Sequence, residues 1–319
     1  MNQRVILRSL PILIVLFLMP LIAPRFYVYT LASIFVMGLL TMSLNLALGY
    51  GGLYQLHHAV FYGIGAYTIA LIFSKTHLPV WIGFVAGPVA AAILSLLMGL
   101  ICIRLSRLYF GMLQISLGSL VWAIAVKWYT FTGGDNGIHG IPVPGILSSI
   151  NGAYYFILIV AAFCVLAMYL IVKSPFGATL QAVRDNPARS EAIGVNVAKH
   201  QLAGLVLAGF FSGIAGDLFV VLEGSVYPDL MFWTLSLEIM IMCLLGGMYT
   251  FMGPVLGAAI ILVLRISVGS LTEYWTFVMG IVLMLLIFFL PQGVLGYIEE
   301  RWKTRGTGLM KKGLSNVTG

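Results

Sequence analysis

Residues 26–74 read FYVYTLASIFVMGLLTMSLNLALGYGGLYQLHHAVFYGIGAYTIALIFS, and none of these forty-nine positions is Asp, Glu, Lys or Arg. A helix needs only about 20 such residues to cross a bilayer, so this stretch has to cross twice. The rest of the 319-residue chain has the same character, with 61% hydrophobic and 8% charged residues against roughly 45–50% and 25% in a soluble protein. A mean hydropathy of +1.05 also excludes disorder, which requires too little apolar surface to collapse. The natural solvent of this chain is a bilayer.

The same criterion applied along the chain gives ten candidate spans, near residues 9–23, 26–48, 52–73, 79–103, 108–131, 152–172, 201–222, 235–252, 254–272 and 275–297. Residues 9–23 are the shortest; they are read as a span, since no clean small-x-small cleavage site precedes Arg25. Cytoplasmic loops hold an excess of Lys and Arg. With the N-terminus inside, Arg4, Arg8, Arg104, Arg107, Lys173, Arg184, Arg189, Lys199, Arg301, Lys303, Arg305, Lys311 and Lys312 all fall on the cytoplasmic side, and Arg25 and Lys75 fall outside. The expected fold is therefore all-α: one polytopic domain over 1–319 with about ten transmembrane helices and both termini cytoplasmic.

The formal charge of +7 does not point to nucleic acid, because five of the basic residues lie in the last nineteen positions. They form a basic tail over about 298–319, suited to a membrane edge and its lipid. Cys102, Cys164 and Cys243 are far apart in apolar stretches, which leaves no disulfide framework and no CxxC site. His57 and His58 are adjacent and point about 100° apart on a helix, poor geometry for a shared metal. No GxxxxGK[ST], HExxH or GxSxG occurs, so neither a metal, a cofactor nor catalytic residues are expected, and the chain does not itself hydrolyse a nucleotide.

Two connections are too long and polar to be mere turns. The outer one, from Thr132 to Gly152, contains GGDNGIHGIPVPG and reads as an ordered loop, with glycines supplying positive φ and prolines stiffness. The inner one, about 173–201, reads as two short helices. Phe176 to Arg184 forms the first; Asn186 caps a second that starts at Pro187 and ends at Gly194, and Asn196 caps the next span. Phe176, Leu180 and Val183 form an apolar strip at helical spacing, open to a partner's groove.

Ionisable residues inside a span are functional candidates, because burying each costs at least about 2.5 kcal/mol. Lys127, Asp217 and Glu223 lie near the outer ends of their spans, where solvation suffices. Glu238 and Arg265 lie on successive spans at depths differing by about 4–5 Å, which predicts an interhelical ion pair. The segment from Asn45 to Ala70 carries Asn45, Gln55, His57 and His58 among five glycines, Gly51 and Gly52 included. It reads either as close helix packing through small residues or as an interrupted helix facing a cavity. On the second reading Asn45, Gly51, Gly52, Gln55, His57 and His58 line a substrate path. The GG-apolar-Tyr pattern of Gly51 to Tyr54 recurs in LLGGMYTFMGPVLGA, from Leu244 to Ala258.

Taken in order, NLALGYGG with HAVFYGIGAYT, TGGDNGIHGIP, SPFGATLQAVRDNPARSEAIGVNV, GGMYTFMGPVLGA and PQGVLG resemble the permease subunits of bacterial branched-chain amino acid ABC importers, specifically the M-type. The resemblance covers nearly the whole chain. It implies a subunit of the cell inner membrane that pairs with a second, related permease, two cytoplasmic ATPase subunits and a periplasmic substrate-binding protein. It also implies that the 173–201 loop holds the coupling helix, with Phe176, Gly177, Arg184, Asp185, Asn186, Glu191, Gly194 and Asn196 matching. Where the family commonly has GQLSLGHA this chain reads GLYQLHHA, so Leu53, Gln55 and His57 differ while His58 agrees; Ala178 and Gln181 stand where basic residues are common. Sibling permeases for urea, short amides or sugars look similar. An ion-coupled secondary transporter is the alternative from another class, with Glu238 as its one candidate coupling carboxylate.

Overall fold

The computed structural model describes residues 15–76, 79–105, 107–270 and, beyond these, 274, 277–278, 280–281, 284–285, 288 and 293–297. The start of the 9–23 span, much of the 275–297 span, Pro291 and Gln292, and the 298–319 tail lie outside the described residues. Those described are overwhelmingly helical. Residues 15–22 form α1, and α2 (Arg25–Asn45) runs on as a π-helical turn, Leu46–Tyr50. There follow α3 (Ala59–Lys75), α4 (Val80–Cys102), α5 (Arg107–Lys127) and α6 (Tyr129–Thr132). The second half holds α7 (Ile150–Lys173), α8 (Pro175–Asp185), α9 (Pro187–Ala192), α10 (Val197–Glu223), α11 (Trp233–Gly246) and α12 (Gly253–Gly269).

Among the described residues, five stretches are long and apolar enough to cross a membrane on their own: 25–50, 81–102, 109–127, 150–173 and 197–223. At 1.5 Å per residue the first, with 26 residues, is about 39 Å long. The apolar helices α3, α11 and α12 are shorter, at 17, 14 and 17 residues. The sequence predicts 235–252 as one span, but Gly247 stops α11 with φ 113, a conformation open to glycine and costly for other residues. Chain 248–252 then forms the turn into α12.

Lipid tails are as apolar as leucine, so helices in a bilayer associate by close van der Waals contact through small residues. The core is built this way around α10. Its Gly213 lies against Gly65 of α3, its Gly216 against the backbone of Tyr62 and Ala66, and its Gly209 against Ser95 of α4. The Ser95 hydroxyl donates to the Leu205 carbonyl at 2.8 Å. Asp217 corrects an expectation: it is not solvated at the end of its span but buried, 1% exposed, against Gly87 of α4. Neither carboxylate oxygen has a hydrogen-bond partner among the described residues. The glycine of α4 makes the space that lets α10 turn this residue inward. Lys127 and Glu223, by contrast, end their helices and are exposed.

One end of the bundle carries α8 and α9. The opposite end carries the 133–149 and 224–232 connections, which are tied together: β1 (Ile138–His139) pairs antiparallel with β2 (Ser225–Val226), and the Ile141 N–H donates to the Gly224 carbonyl at 3.0 Å. Gly133, Gly134, Gly137 and Gly140 all have positive φ, from 63° to 81°, so the glycine-rich loop is ordered for the reason its sequence gives. The two-stranded ribbon had no signal in the sequence.

A Cβ added at Gly216 falls on the Tyr62 carbonyl oxygen and 2.8 Å from the Ala66 nitrogen, whereas one at Gly269 meets nothing within 4 Å. Gly216→Ala is expected to lose about 1–3 kcal/mol by overpacking, and Gly269→Ala to stay within about 1 kcal/mol of the parent. Thermal unfolding of the purified variants in detergent checks the pair.

Candidate functional site

The connection between α2 and α3 lies at the α8 end. Its backbone unwinds in steps: the π-helical turn at 46–50, then Gly52 at φ 69, with the Gly52 and Leu53 N–H groups donating to the Leu48 and Ala47 carbonyls at 3.0 and 2.9 Å. A π-turn leaves carbonyls displaced from their usual partners. The Gly49 carbonyl is taken by the Arg184 guanidinium of α8, whose stem passes 2.8 Å from where a Cβ on Gly52 would stand. Arg184 also stacks on Tyr249, 5.2 Å from the ring centroid, and its Nε donates to Asp185 at 2.8 Å. One side chain thus joins the helix break, α8 and the α11–α12 turn. The recurring GG-apolar-Tyr pattern has a physical sense here: Gly52 from one copy and Tyr249 from the other both lie against Arg184.

Asn45 closes the break from the other side. Its amide donates to the Thr250 carbonyl at 3.3 Å and its Oδ1 accepts from the Cys243 thiol at 3.4 Å. A side chain on Gly49 would run into Asn45 and the Met248 carbonyl. His58 Nδ1–H donates to Gln55 Oε1 at 2.6 Å, and its Nε2 lies 2.8 Å from Ser43 Oγ. His57 meets Phe61 edge-on at 5.0 Å; neither its ring nitrogens nor the Gln114 amide has a hydrogen-bond partner among the described residues.

The six residues expected along a substrate path therefore separate. Gly51 and Gly52 open on a small cavity of about 70 Å³, together with Tyr54, Phe110, Arg184 and Pro187. Asn45, Gln55, His57 and His58 are enclosed by the chain, at most 2% exposed, and most of their polar atoms hold the break. Both sequence readings of this segment are partly right: the helix is interrupted, and small residues pack it closed.

In the inner connection the caps form as the residue types dictate. Ser174 accepts from the Gly177 N–H, Asn186 from Arg189 and Asn196 from Lys199, at 3.4, 3.0 and 3.0 Å; Pro175 and Pro187 take first-turn positions and Gly194 has φ 91. The apolar strip, however, is not open to a partner. Leu180 and Val183 are fully buried, Leu180 lying over Gly204 of α10, and Phe176 stacks on His200 at 6.0 Å. The strip seats α8 on its own bundle, because a short amphipathic helix buries its apolar face on the nearest apolar surface. What faces outward is Ala178, Ala182, Asp185, Arg189, Glu191 and Ile193, the last 75% exposed.

Near the opposite end, Arg265 Nη1 of α12 lies 3.4 Å from Glu238 Oε1 of α11, with the side chains 46% and 20% exposed. The inward role of Arg184 was not legible in the sequence, since an arginine in a basic polar loop is normally solvated.

A family model described as the branched-chain amino acid transport system permease component matches residues 26–287. The chain belongs to this family. This permease is 27% identical over 303 residues to the high-affinity branched-chain amino acid transport system permease protein LivM of Escherichia coli K12, covering 86% of this chain and 71% of that protein. It is 24% identical over 280 residues to the probable branched-chain amino acid transport permease protein LivM of Methanocaldococcus jannaschii, covering 81% and 74%. The guanosine ABC transporter permease protein NupQ of Bacillus subtilis matches over 83 residues at 28% identity, 26% of each chain. No solved structure matches. The permease is an all-α, multi-pass membrane protein and a transport subunit, not an enzyme.

Removing the guanidinium strands the Gly49 carbonyl at a site where the Arg184 side chain is only 22% exposed. Arg184→Ala is expected to lower stability by about 1–3 kcal/mol, with Arg184→Lys recovering part of it because an ammonium cannot both stack and fork. Asp185 is 66% exposed, so Asp185→Asn should change stability by less than about 1 kcal/mol. Thermal unfolding of the three variants reads the difference.

Proposed function

We propose that this permease is a membrane subunit of a bacterial ATP-driven importer that carries branched-chain or other small amino acids across the cell inner membrane. The observation that carries this reading is the family match over 262 positions, residues 26–287, joined to similarity over 86% of the chain with a protein named as a branched-chain amino acid permease. The nucleoside permeases of Bacillus subtilis and Lactococcus lactis match only 26% and 47% of it, which favours an amino acid over a nucleoside. Glu238 lies beside Arg265, which weakens it as the coupling site of an ion-driven carrier.

The permease acts as one domain, with about ten spans and both termini in the cytoplasm. In that topology the α8–α9 end is cytoplasmic, in keeping with Arg104, Lys173, Arg184, Arg189 and Lys199 at that end. The partners are a second, related permease, two cytoplasmic ATPase subunits and a periplasmic substrate-binding protein. The α8–α9 pair is the coupling element. Its buried Leu180 and Val183 make it rigid with the bundle, while Ala178, Ala182 and Ile193 offer a low, apolar outward face to an ATPase groove, edged by Asp185, Arg189 and Glu191. Through Arg184 a displacement of α8 reaches the break between α2 and α3.

In vesicles holding all the subunits, leucine, isoleucine or valine uptake is expected to require ATP and to survive an uncoupler. Uptake of urea, a sugar or a nucleoside but no amino acid overturns the substrate, and collapse with the uncoupler overturns the energy source. Ile193→Glu is expected to leave membrane insertion intact while detaching the ATPases or abolishing substrate-stimulated ATP hydrolysis. Normal co-purification and normal stimulation in that variant rule out the coupling face.

A further inference from the structure

Between α2, α10 and α12, in the half of the bundle away from α8, lies an open groove of about 320 Å³, within the ~300–1,000 Å³ of small-molecule sites. Its polar groups are few and of both signs. Arg265 enters from α12, and Glu223, the last residue of α10, accepts a hydrogen bond from the Tyr29 hydroxyl of α2. Ser33 and Tyr227 also line it. Tyr227 lies outside the helices; burial first and Glu223 second hold its phenol above the usual range, with Arg265 opposing, so its hydroxyl stays available as a donor. Thr30 lines it too, its hydroxyl donating to the Phe26 carbonyl at 2.8 Å, and the remaining wall is apolar, including Val36, Phe219, Leu222 and Leu262.

An ion pair that serves only to neutralise two membrane charges needs no cavity. Here Arg265 touches Glu238 on one side and lines the groove, with nearly half of its side chain exposed. Arg265 keeps Glu238 as its partner, and Glu223 bonds Tyr29 at the exposed end of α10, so both charges are held by the chain and still front the groove. Charges placed so suit a path that admits water and a charged solute. The set matches a zwitterion: a guanidinium for a carboxylate, a carboxylate with a neighbouring hydroxyl for an ammonium, and aliphatic and aromatic walls for a branched side chain.

We infer that this groove, rather than the enclosed segment from Gln55 to His58, is the part of the translocation path contributed by this chain, with Arg265 receiving the α-carboxylate and Glu223 the α-ammonium of an amino acid in transit. The inference rests on the importer reading above, which supplies the second permease that closes the groove's open side.

The test uses the full complex in proteoliposomes with saturating loaded binding protein and leucine as the probe. Arg265→Gln is expected to lower the maximal leucine uptake rate at least tenfold and Glu223→Gln severalfold, while Arg265→Lys, which keeps a point charge, retains most of it. Assembly of each variant is checked by co-purification. The three native cysteines are buried, so Ser33→Cys gives a single accessible thiol. An impermeant thiol reagent added outside is expected to modify it, and loaded binding protein with ATP should slow that reaction. Should Arg265→Gln fail to assemble, the Ser33→Cys reaction decides alone. Parent-like uptake by both neutral variants, or a Ser33→Cys thiol that is unreactive or indifferent to turnover, overturns the groove while leaving the importer reading standing. No ATP-driven amino acid uptake by the parent complex overturns the importer reading first.

Discussion

A backbone carbonyl released from its helix and buried has to find a new donor, and the Gly49 carbonyl finds Arg184. That contact is the constraint on which the α8 end of the molecule depends. The π-turn at Leu46–Tyr50 turns α2 out of register, and an unmet buried carbonyl there would cost about 1–3 kcal/mol. Because the group that meets it belongs to α8, the helix break cannot move without α8. Because the same guanidinium stacks on Tyr249, the α11–α12 turn is held to both.

The half of the bundle away from α8 is organised by different means. The β1–β2 ribbon fastens the 133–149 and 224–232 connections to each other, and the glycine contacts of α10 with α3 and α4 make a body with little freedom between helices. The mixed-charge groove lies on the flank of that body, where α2 and α12 meet α10. The same α2 that lines the groove ends in the turn clamped by Arg184, so a single helical stretch, about 39 Å long, links the α8 end of the bundle to the groove.

Much of this was legible in the residues. Charge-free runs of span length gave the helices, and small polar caps with Pro at first-turn positions gave α8 and α9 at nearly their observed bounds. The misreadings share a cause: sequence periodicity says that a face is apolar, not what covers it. Leu180 and Val183 looked available and are buried, Leu180 over Gly204 of α10. Asp217 looked like a solvated end residue, because nothing local shows that Gly87 on another helix makes room for it. Gln55, His57 and His58 are enclosed here, with Gln55 and His58 bonded to each other across the chain reversal and His57 packed edge-on against Phe61, an arrangement that polar residues in a charge-free segment do not spell out. The groove around Arg265 assembles residues from four separate segments, 26–37, 219–223, 227 and 262–266, and no spacing rule joins those.

The central claim is that α8 and the α2–α3 break move as one body. Spin labels at Tyr54→Cys beside the break and Ala178→Cys on the exposed face of α8 report it, with a third at Ile159→Cys, exposed on α7. Distances are measured by pulsed electron paramagnetic resonance in the assembled complex with and without bound nucleotide. The 54–178 distance is expected to stay constant to within about 2 Å, the scale of ordinary helix shifts, while the 54–159 and 178–159 distances change together. A 54–178 distance that changes on nucleotide binding while the 54–159 distance holds still would contradict it.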